Sequence, residues 1–68
     1  MLNVRLLKSE IVKNGFTQKE FCEKINMAQS TFVRKMKKGV VTTAEAEKMT
    51  EVLNIKNPNE IFFSTLLT

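Results

Sequence analysis

Between Glu23 and Glu45 the chain carries no acidic residue, yet Lys24, Arg34, Lys35, Lys37 and Lys38 all fall in that stretch. Lysine and arginine gathered without carboxylates are the chemistry of anion binding, phosphate foremost. The formal net charge of +4 and a pI of about 9.5 also point to an anionic partner. Residues for catalysis are missing. Cys22 is the one thiol and the chain has no His, so no imidazole stands ready to activate it. The same shortage removes the usual zinc ligand sets. The seven acids are all Glu and lack metal-loop spacing. The expectation is a binding protein with no cofactor, no metal and no small-molecule substrate. A single Cys allows no internal disulfide, which fits a reducing cytoplasm. No apolar run exceeds three residues and no basic leader precedes an apolar segment, so neither secretion nor membrane spanning is expected.

Binding groups need rigid elements beneath them, and the chain marks where its helices stop. Asn14-Gly15-Phe16, Ile25-Asn26-Met27, Lys38-Gly39-Val40 and Leu53-Asn54-Ile55 each set a Gly or Asn before an apolar residue. A helix closing in a left-handed turn needs a residue that tolerates positive φ, followed by an apolar side chain that folds back on the last turn. Start signals alternate with these stops. Thr17-Gln18-Lys19-Glu20 and Thr42-Thr43-Ala44-Glu45 read as capping boxes. Asn57-Pro58 places a capping residue before a proline at the first helical position. The spans predicted are 3–14, 17–25, 28–38, 43–53 and 58–66. Val4, Leu7 and Ile11 share a face of the first helix. Phe21 and Ile25 do so on the second, Phe32 and Met36 on the third, and Ala46, Met49 and Leu53 on the fourth. The expected architecture is all-α, one five-helix domain over residues 1–68. A chain this short buries only about 60% of its unfolded surface, so its core is small.

Helices 2 and 3 are joined by Asn26 and Met27, and so short a link makes them cross steeply, as in a helix-turn-helix. Such a crossing needs a small residue where the backbones approach, for which Cys22 serves, and a left-handed turn residue, for which Asn26 serves. Apolar contacts from both arms come from Phe21, Ile25, Met27 and Phe32.

The run Gly15-Phe16-Thr17-Gln18, then Phe21-Cys22, Ile25-Asn26-Met27 and Gln29-Ser30-Thr31-Phe32, resembles the phage Cro and repressor class of helix-turn-helix regulators. The ending Glu60-Ile61-Phe62-Phe63 is similar to small phage and mobile-element members of that class from Gram-positive bacteria. The resemblance covers about residues 5 to 63. It implies a lambda-repressor-like fold and a transcriptional regulator that binds a double-stranded DNA operator. Helix 3 would then lie in the major groove, with Gln29, Ser30, Val33 and Arg34 at base-reading positions. Gln pairs with adenine, Arg with guanine, and Val touches a thymine methyl. Thr17, Gln18, Thr31, Lys37 and Lys38 would hold phosphates.

Three departures from the family pattern matter. Ala28 stands where a Ser or Thr cap is usual. Met36 lies one place later than the usual apolar residue, with Lys35 at the expected site. Lys8 matches the basic half of a helix 1–helix 3 salt bridge, but the acid on helix 3 is absent, so that bridge is not expected.

A second class of function is a protein-interaction module on the same scaffold, an antirepressor or antitoxin that docks on another regulator. The basic third helix favours DNA; the apolar C-terminus keeps docking open. On a helix, Ile61, Phe62, Phe63, Leu66 and Leu67 spread over roughly 240°, wider than one core-facing stripe. Ile61 and Phe62 are expected to close the core. Phe63, Leu66 and Leu67 are expected to line a weak homodimer contact or a docking surface, the other outcome being that the tail curls back onto its own domain.

Overall fold

The computed structural model describes residues 2–62, which form five helices: α1 (Val4–Lys13), α2 (Gln18–Lys24), α3 (Gln29–Lys38), α4 (Thr43–Leu53) and α5 (Pro58–Phe62). No strand occurs among the described residues. The first four spans agree with the expected ones to within one residue at each end. The described part of α5 ends at Phe62, so the expected extension to 66 and the interface roles of Phe63, Leu66 and Leu67 lie outside the described residues.

At α1, α2 and α4 the helix starts where a side chain satisfies a free backbone N–H. Asn3 Oδ1 accepts from Leu6 N–H at 3.1 Å. At α2, Thr17 Oγ1 accepts from Glu20 N–H at 3.1 Å while Thr17 N–H donates to Glu20 Oε1 at 2.9 Å. Thr42 and Glu45 repeat both bonds at α4, at 3.1 and 2.8 Å. These are the two expected capping boxes. At α5, Asn57 Nδ2 donates to Glu60 Oε1 at 3.1 Å. Ala28 caps α3 with no side-chain bond, a difference worth about 1 kcal/mol against Ser or Thr.

Each of the four stop signals closes in the same way. Gly15, Asn26, Gly39 and Asn54 have φ of 79°, 57°, 70° and 52°. The N–H of the following residue reaches back five positions: Phe16 to Ile11 O, Met27 to Cys22 O, Val40 to Lys35 O and Ile55 to Thr50 O, at 2.9–3.2 Å. With the bonds from the N–H groups of Gly15, Asn26, Gly39 and Asn54 to the carbonyls three residues back, these are Schellman closures. Asn26→Val puts a β-branched side chain at positive φ, which is expected to cost about 1–2 kcal/mol. In a thermal melt Asn26→Gly should track the parent while Asn26→Val melts several degrees lower. An unshifted Val variant would place the turn elsewhere.

Leu7, Phe21, Cys22, Phe32, Met49 and Leu53 form the fully buried centre. Phe21 meets Phe32 edge-on, with ring centroids 5.8 Å apart at 74°, and Phe16 tilts against Phe21 at 6.4 Å. This aromatic stack fastens α2 to α3. Every stripe residue expected in the core is buried except Val4, which is half-buried against it. Ile61 and Phe62 are buried, and α5 packs on α1 and α4. Leu2 is buried as well. Its N–H donates to Gly39 O at 3.2 Å, and Asn3 N–H donates to Ile61 O at 2.6 Å, so the first described residues are clasped to the α3–α4 link and to α5. Among the described residues no helix is long and apolar enough to cross a membrane.

Candidate nucleic-acid interface

On α3, Phe32 and Met36 point into the core and Ser30, Val33, Arg34, Lys37 and Lys38 are exposed, as is Gln29 at its start. The helix contains no acidic residue. Its exposed side chains, Val33 apart, are therefore all able to donate hydrogen bonds, and three of them, Arg34, Lys37 and Lys38, are cationic. Val33 is 38% exposed, a small apolar contact in a polar face.

The two flanks of α3 differ. Toward α4, Thr31 is half-buried and borders a groove of about 460 Å³ with Met27, Ala28, Ala44, Glu45 and Lys48. Lys35 Nζ lies 3.1 Å from Glu45 Oε2, with both side chains about three-quarters covered. Partial burial raises the Glu45 carboxyl, but the Thr42 backbone N–H and the Lys35 ammonium outweigh it, and its pKa settles below the ordinary value. Lys35 is thus held against α4, unlike Arg34, Lys37 and Lys38, none of which has an ion-pair partner among the described residues. Sequence reasoning counted Lys35 in the basic stretch and missed this pair. The capping box that holds Glu45 in place was legible; its reach across to α3 was not.

Toward α1 and α2, a shallow cleft of about 170 Å³ is lined by Val4, Lys8, Gln18, Val33, Met36 and Lys37. It brings Gln18 and Lys37, far apart in sequence and both expected to hold phosphates, to one place. Thr17, next to Gln18, has its hydroxyl oxygen and N–H engaged in the capping box. The Thr17 backbone N–H, with its hydroxyl, holds the Glu20 carboxyl below its ordinary pKa, so a carboxylate already answers the positive end of α2. Thr17 is thus taken up by its own capping box, and the outward group here is the Gln18 amide. Thr31 stands on the opposite flank of α3 from this cleft.

Cys22 is 1% exposed behind this face, and burial pushes its thiol above the ordinary pKa. Its carbonyl accepts from Met27 N–H at 2.9 Å, within the closure that turns the chain from α2 into α3. A small, protonated side chain fits that place as packing. Among the described residues no three His, Cys, Asp or Glu side chains gather as a metal set would require. No protein-family model matches the chain, and no match to a curated protein or to a solved structure was found.

Proposed function

We propose that this chain is a sequence-specific double-stranded DNA-binding domain of a transcriptional regulator, with α3 entering the major groove. The observation that carries the reading is the outward face of α3: exposed Ser30, Val33, Arg34 and Lys37 on a helix without an acid, continuing into Gln18 on α2. In this reading Arg34 takes a guanine edge and Gln29 an adenine, Val33 meets a thymine methyl, and Ser30 serves either base. Lys37, Lys38 and Gln18 hold phosphates, with Thr17 beside Gln18 and Thr31 on the α4 flank as the further phosphate positions. The α2–α3 crossing, fixed by Asn26 and the phenylalanine stack, sets how far α3 stands out from the body.

Selection from a random duplex pool, followed by titration of the winner and of a scrambled duplex at increasing salt, tests the proposal. The expected result is an enriched sequence bound more tightly than the scramble, with log K falling linearly against log salt. No enrichment, with affinity indifferent to salt, would overturn it.

A further inference from the structure

The cleft beside α3 holds a cation that no expected role uses. Lys8, on α1, lines the same cleft as Gln18 of α2 and Lys37 of α3. No carboxylate lines that cleft. Glu10, the acid of α1, lies two residues on, about 160° round the helix from Lys8, and pairs with Lys13 at 3.5 Å. Glu20 on α2 is engaged with Thr17. Lys8 is exposed and has no ion-pair partner among the described residues. Val4, Val33 and Met36 supply apolar wall against which two lysine stems can lie while their ammonium groups stay outside.

We infer that this three-helix cleft is a phosphate-binding position, in which Lys8, Lys37 and the Gln18 amide together hold one phosphodiester of the DNA backbone. The inference rests on the DNA-binding reading and deepens it, adding α1 to the contact surface. Two ammonium groups lining one cleft without a carboxylate favour an anion between them, and a phosphodiester offers one non-bridging oxygen to each, either of which also accepts from the Gln18 Nε2–H. Because Val33 of the same cleft stands on the reading face of α3, a strand held there would run alongside the bases that face meets. The position fixes register and carries no sequence preference of its own.

Equilibrium titration of Lys8→Gln, Lys13→Gln and the parent, on the selected duplex and on its scramble across a salt series, tests the inference. Thermal melts check that each variant is folded. Lys8→Gln should lose affinity by the same factor on both duplexes and flatten the log–log salt slope by about 0.9, the share of one phosphate. Lys13→Gln removes the same charge from α1 away from the cleft and should keep the parent slope. If Lys8→Gln keeps the parent slope, or Lys13→Gln flattens it equally, the cleft is not a phosphate position, although the parent still binds DNA. A parent that binds neither duplex overturns the DNA-binding reading itself, and this inference with it.

Discussion

Phe32→Ala is expected to leave the chain largely unfolded at room temperature. Phe32 is fully buried and its ring meets Phe21 edge-on. Truncating a buried Phe to Ala costs about 3–5 kcal/mol through lost transfer energy and the cavity left behind. A core this small supplies on the order of 3–5 kcal/mol of net stability. The two quantities are comparable, so one substitution removes most of the margin. Far-UV circular dichroism should show the helical signal lost or its midpoint moved far down, and the DNA binding proposed above should vanish with it. A variant melting within a few degrees of the parent would mean that the α2–α3 packing is not what holds the domain together.

Arg34→Ala should do the reverse, sparing the fold and damaging recognition. Arg34 is exposed on α3 and has no ion-pair partner among the described residues, so its loss should leave the melt unchanged. If its guanidinium pairs with a guanine edge, the selected duplex should lose about 1–3 kcal/mol, roughly 5- to 150-fold in affinity, and the scramble much less. Repeating the pool selection with the variant should relax the preference at one base position. Equal losses on both duplexes would demote Arg34 to a phosphate contact.

Helices and turns were legible because their signals are local. A left-handed residue followed by an apolar one needs only its own helix to be meaningful, and all four such sites close as expected. The capping boxes are equally self-contained. Core membership followed from helical spacing and extended correctly to Ile61 and Phe62. Features joining distant parts of the chain were not legible. The Lys35–Glu45 pair depends on the angle between α3 and α4, which no local pattern encodes. Leu2 gave no periodic signal, since it precedes the first helix, yet it is buried. The cleft uniting Lys8, Gln18 and Lys37 exists only once three helices are packed. The departure noted at Lys35 and Met36 has its physical account here: Met36 is the buried residue, and the lysine before it turns aside to meet Glu45.

The clasp of Asn3 N–H on Ile61 C=O joins two points separated by nearly the whole described chain. Its consequence concerns time. The helix closures and the Phe21–Phe32 contact span few residues, and loop entropy opposes them little. The clasp closes a loop of nearly the whole described chain, and a nascent chain cannot make it until Ile61 has been synthesised. Assembly should thus start at α2 and α3 and finish at the ends, with α1 held in place last. In a domain of this topology α3 should be in place early, while the joining of the two ends through Asn3 and Ile61 should come late.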